Sequence, residues 1–133
     1  MIQRVLFSTI LLITVFFTGC GGDDLKQIKG TVTHKGKPVA NLYLTFMPGD
    51  PKTQPASSSS TDQNGKFELK IGSAGGVVPG KYTVTCSDPA AAMGGKSSDD
   101  PDYAVVCKKY AQGTSTYSIE VKESNSNLEL KLD

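Results

Sequence analysis

From Lys26 onward the chain alternates apolar and polar residues with a period of two, in short runs broken by Gly, Pro, Asn and Ser. That is the pattern of strands with one buried face. Seven runs are predicted. The first, Gln27 to Thr33, puts Ile28 and Val32 on one face, and His34-Lys35-Gly36-Lys37 then turns the chain, Gly36 supplying a positive φ. The second, Leu42 to Met47, directs Leu42, Leu44 and Phe46 inward and Tyr43, Thr45 and Met47 outward. A Pro- and Ser-rich loop over 49–60 leads to a short third run around Ser59 to Thr61. Asp62-Gln63-Asn64-Gly65 has the residues of a hairpin turn.

The fourth run, Lys66 to Ile71, alternates most cleanly, with Phe67, Leu69 and Ile71 inward. After a glycine-rich connection, Lys81 to Ser87 places Tyr82, Val84 and Cys86 inward. Thr116 to Val121 buries Tyr117, Ile119 and Val121, and Asn127 to Leu132 buries Leu128, Leu130 and Leu132. Residues 88–106 carry few apolar side chains before Tyr103-Ala104-Val105-Val106, so disorder is expected there.

The first twenty residues follow a different rule. Arg4 precedes a thirteen-residue apolar run from Val5 to Phe17, of signal-peptide length and too short for a stable span of ~20 residues. Thr18 and Gly19 are small, and Cys20 follows. Phe17-Thr18-Gly19-Cys20 resembles a lipobox, the bacterial motif whose cysteine is acylated and becomes the mature first residue; Phe17 stands where Leu is usual. The alternative is an ordinary secretory leader with a chance cysteine. The chain thus divides into a leader over 1–19, a lipidated N-terminus and flexible spacer over 20–26, and one domain over 27–133. Two or three acyl chains would anchor stably where one holds marginally.

Charge narrows the functions. Beyond the leader there are thirteen Lys, no Arg and thirteen acidic residues, with the lysines scattered along the chain. No basic face for nucleic acid is indicated. One domain fits this length, with a modest core.

Several blocks recur in an order that carries a resemblance: Gly30-Thr31-Val32, Gly36-Lys37-Pro38-Val39, Thr45-Phe46, Thr61-Asp62-Gln63-Asn64-Gly65-Lys66-Phe67 and Pro79-Gly80-Lys81-Tyr82-Thr83-Val84. Together they are similar to the carboxypeptidase regulatory-like, transthyretin-like domain family. The ending, from Lys109-Tyr110 through Thr114-Ser115-Thr116 to Glu120-Val121, is similar to stand-alone bacterial lipoproteins of that family. The resemblance implies a seven-stranded, Ig-like or transthyretin-like antiparallel sandwich and a binding or scaffolding role, with no catalytic residues to carry over. Asn41-Leu42 and the stretch 88–106 depart from the family pattern.

Candidate chemistry is sparse. With Cys20 acylated, Cys86 and Cys107 are an even pair, and in an exported chain a disulfide is the expected state; two unpaired thiols are the alternative. His34, the one histidine, is expected to be solvated in its turn. A zinc site or the histidine-dependent hydrolases and dioxygenases of similar sandwich shape would need more. Asp62, Asn64 and Gly65 read as a turn rather than a calcium loop, and Asp99, Asp100 and Asp102 as solvated carboxylates. No metal or cofactor is expected. Tyr43, Tyr103 and Tyr110, the rings not assigned inward, are the features a glycan-binding face would use.

The expected function is a non-enzymatic, lipid-anchored interaction or structural module of the cell envelope, with a carbohydrate-binding module as the alternative. Its partners would be the membrane, through the lipid on Cys20, and an envelope protein or glycan. Gly21 follows Cys20 where inner-membrane retention often uses Asp, which favours the outer membrane or cell surface.

Overall fold

The computed structural model describes residues 24–133; the leader and Cys20 lie outside the described residues. The domain is mostly β, in two sheets rich in antiparallel pairs that share one core, the arrangement of an all-β sandwich. The first sheet contains β1 (Ile28–His34), β2 (Lys37–Pro38), β5 (Lys66–Glu68) and β10 (Asn125–Lys131). The second runs in the order β7 (Ala74–Gly75), β6 (Lys70–Ile71), β4 (Ser57–Ser60), β3 (Tyr43–Pro48), β8 (Gly80–Ser87), β9 (Ser118–Val121).

Alternation places most of the core as expected, while Tyr117, Ile119 and Leu128, expected inward, are only half-buried against it. Val32, Leu42, Leu44, Phe46, Leu69, Val84, Leu130 and Leu132 are fully buried, with Ile28, Phe67, Tyr82, Cys86 and Val121 nearly so. The second-sheet residues Phe46 and Tyr82 pack ring against ring, centroids 6.0 Å apart. Thr61 is the buried polar link: its hydroxyl donates to the Val39 carbonyl at 2.7 Å and accepts from the Leu42 amide at 2.9 Å. Thr61→Val keeps the shape but leaves both backbone groups without that partner. A loss of about 2 kcal/mol is expected, seen as a lower urea midpoint with an unchanged slope.

Three expectations are corrected. The sandwich is not wholly antiparallel, because β1 and β10 run parallel, with Gly30 opposite Leu128 and Val32 opposite Leu130. The run Lys66 to Ile71 is two strands, since the chain leaves the first sheet after Glu68 and enters the second at Lys70. Leu69, at the crossing, is fully buried and its amide donates to the Ile28 carbonyl at 3.0 Å. Ile71 is consequently only half-buried. The Asp62–Gly65 turn forms, with Gly65 at φ 72° and Asp62 Oδ1 accepting from the Asn64 and Lys66 amides. Yet it joins β4 to β5, which belong to different sheets, so it is no hairpin.

The segment expected to be disordered holds a short 3-10 turn, Ala91–Met93, and helix α1, Pro101–Lys109. Its local signals agree with a helix: Asp100 caps the start through the Asp102 amide at 2.9 Å, Pro101 opens the first turn, and Lys108 and Lys109 close the last. Tyr103, Val106 and Tyr110 form its buried stripe.

Candidate functional site

Strand register gives the domain two poles. At one, Lys26 pairs with Val77, Ile28 lies opposite Asn125, and Gly80 lies opposite Val121, so the first described residues enter the domain there. At the other, β1 ends at His34, Tyr43 lies opposite Ser87, and α1 closes over the gap. Most candidate residues collect at this second pole.

Cys86 ends the inward row of β8 and is 3% exposed; Cys107 is half-buried on α1 against the same core. The helix and strand are joined by the backbone, the Cys86 amide donating to the Tyr110 carbonyl at 2.7 Å. Both thiols are unbonded in the structure. Burial, and then the charge of Cys107 nearby, pushes the Cys86 thiol up to about 12, and burial with the Asp88 charge raises Cys107 as well. Neither thiol is disposed to act as a nucleophile at neutral pH.

Asp88 fastens the loop that follows β8. It accepts from the Ala90 amide, the Ser97 amide and the Ser97 hydroxyl, the last at 2.5 Å, and that hydroxyl is the main reason its carboxyl lies below the usual range. The three clustered acids have separate partners. Asp99 pairs with Lys96 at 2.6 Å, Asp100 caps α1, and Asp102 pairs with Lys35 at 3.2 Å. Among the described residues, no three His, Cys, Asp or Glu side chains are grouped to hold a metal ion.

His34 corrects the expectation of a solvated ring, being only 7% exposed. Its Nδ1 lies 2.5 Å from the Leu132 carbonyl oxygen, so Nδ1 carries the proton and donates it. Nε2 faces Asp102 Oδ1 at 3.8 Å. The two share a pocket of about 180 Å3 with Ser97 and Ser98. The arrangement is not that of a serine triad, which needs the carboxylate on Nδ1 and a free hydroxyl at Nε2. Here Nδ1 is taken by backbone, the Ser97 hydroxyl serves Asp88, and Ser98 Oγ accepts from the Asp100 amide.

The tyrosines are corrected too. Tyr103 and Tyr110 are core residues whose hydroxyls donate to the Asn41 and Asp133 carbonyl oxygens, and only Tyr43 is exposed, at 39%. Its hydroxyl donates to Ser58 Oγ. A second concavity, an open groove of about 750 Å3, runs between the sheets past Lys29, Ser59, Lys66, Glu68 and Asn127. Its residues had no sequence signal beyond outward polar positions.

No protein-family model, curated protein or solved structure matches this chain. Among the described residues, no helix is long and apolar enough to cross a membrane.

Proposed function

We propose that the chain is an exported lipoprotein of the cell envelope, held to a membrane through a lipid on Cys20, whose folded part acts as a non-enzymatic interaction or structural module. The run Arg4, Val5 to Phe17, Thr18-Gly19-Cys20 carries this reading. The outer membrane or cell surface is the proposed destination, on the strength of Gly21. The sequence blocks from Gly30 to Val84 extend the proposal to a transthyretin-like or Ig-like type of sandwich, of the carboxypeptidase regulatory-like kind. Against catalysis stand the single histidine with its backbone-bound Nδ1 and two thiols that resist ionisation. In an oxidising compartment Cys86 on β8 and Cys107 on α1, which pack against the same core, are proposed to close a disulfide.

Cys20→Ala tests the anchor. The parent chain, expressed in a bacterium, should take up labelled palmitate, fractionate with membranes and show an acylated residue 20 at its N-terminus by mass spectrometry. The variant should lose the label and leave the membrane fraction. An intact leader, or an unmodified Cys20 at the mature N-terminus, would defeat the proposal.

A further inference from the structure

Among the described residues, one buried side-chain nitrogen or oxygen finds no hydrogen-bond partner, and it is His34 Nε2. Because Nδ1 donates to the Leu132 carbonyl, Nε2 of this tautomer presents its lone pair with no donor facing it. Asp102 Oδ1, 3.8 Å away, is an acceptor as well. A buried acceptor without a donor is costly, and such an atom at the wall of a cavity marks a place where a donor is meant to arrive.

We propose that the pocket at the α1 pole binds a single sugar ring or a comparable cyclic polyol, with neighbouring hydroxyls donating to His34 Nε2 and to the Asp102 carboxylate. The proposal gives the interaction module a ligand class and rests on that reading, though not on the anchor. Charge selects the class. A cationic ligand meets Lys37 in the wall and Lys35 already on Asp102, while an anionic one meets Asp100 and Asp102. A neutral ligand rich in O–H donors meets neither objection. Pro38, Val39 and Ala40 supply an apolar wall for the C–H face of a ring. The volume of about 180 Å3 is below the ~300–1,000 Å3 of drug-sized sites, room for one ring rather than a chain.

Access runs past Asp102, which covers Nε2 but is itself 38% exposed and is held by Lys35, a flexible surface side chain. A turn of that carboxylate opens the acceptor pair without disturbing the core. The larger groove between the sheets is the weaker candidate: Lys29 and Glu68, neighbours on β1 and β5 in its lining, pair with each other at 3.5 Å, and no buried group there lacks a partner.

His34 is the only histidine, so its imidazole nitrogens give one unambiguous NMR signature. The full chain, in a detergent without a sugar headgroup, would be titrated separately with glucose, galactose, N-acetylglucosamine, methylammonium chloride and sodium phosphate. A saturable shift of Nε2 is expected with at least one sugar, with Kd on the order of 1 mM, and with neither charged probe. Asp102→Ala should weaken it at least tenfold while the Nδ1 proton signal persists, which shows the fold intact. Asn127→Ala, in the groove, should leave it unchanged. No saturable response to any sugar, a response to methylammonium or phosphate alone, or sugar binding unaffected by Asp102→Ala would overturn the proposal. Membrane fractionation of Cys20→Ala reads the anchor separately, so either idea can fail alone.

Discussion

Gly30→Ala is expected to destabilise the domain by roughly 3 kcal/mol or more, enough to lower the urea midpoint sharply or prevent folding at 37 °C. A Cβ on Gly30 would lie 2.0 Å from the Leu128 carbonyl oxygen, 2.9 Å from its carbon and 3.0 Å from Phe67 Cζ. Two of these are backbone atoms of the parallel partner strand, so no rotamer change relieves the clash. The β1–β10 ladder must open, and it carries Val32 and Leu130, both fully buried. Gly36→Ala is the control, since its Cβ would meet nothing within 4 Å and only its φ of 78° opposes it. That substitution should cost about 1–2 kcal/mol. Equal losses for the two would show that the approach of β1 to β10 is looser than the geometry requires.

Gly30 marks the limit of what alternation reveals. Which face of each strand is buried was legible, because the period of two acts locally: Leu42, Leu44 and Phe46, or Leu130 and Leu132, report their own environment. Which strand lies beside which was not, since β1 meets β10 about a hundred residues later and nothing in either run states the direction of pairing. The crossing at Leu69 escaped for a related reason. A residue inward in one sheet and a residue inward in the next produce the same unbroken pattern.

Helix α1 was written in capping residues rather than in hydrophobic bulk. Asp100-Pro101 and the terminal Lys108-Lys109 are ordinary start and stop signals, but a nine-residue helix with Tyr103 and Val106 as its buried side chains gives periodicity little to detect. The pocket depended on contacts more distant still. His34 reads locally as part of a Lys-Gly turn, and it is buried because Leu132 and Asp102, 98 and 68 positions away, close over it. Cys86 was placed inward by its strand; the position of Cys107 beside the same core required the helix.

The cysteine pair should make stability depend on oxidation and, in the reduced chain, on alkaline pH. Closing a loop of about twenty residues is expected to add roughly 3 kcal/mol, read as a higher urea midpoint for the oxidised chain at neutral pH. Reduced, the folded Cys86 thiol ionises near about 12 instead of its ordinary 9.0, because burial and the Cys107 charge oppose the thiolate. The unfolded thiol gives up its proton first. Stability is therefore whole below pH 9.0, falls as pH rises from there through about 12, and is level above that. A shift of this size amounts to about 4 kcal/mol across the window, and Cys107, also raised, adds in the same direction. Burial raises Tyr82, Tyr103 and Tyr117 too, so both redox forms lose some stability in alkali. The difference between the oxidised and reduced curves cancels that common part, and it should widen steadily above pH 9.0. Curves that stay parallel from neutral pH to the end of the window would mean that no bond joins Cys86 to Cys107. A widening gap would give the pair a structural task, holding α1 against β8 and thereby fixing Asp102 over His34.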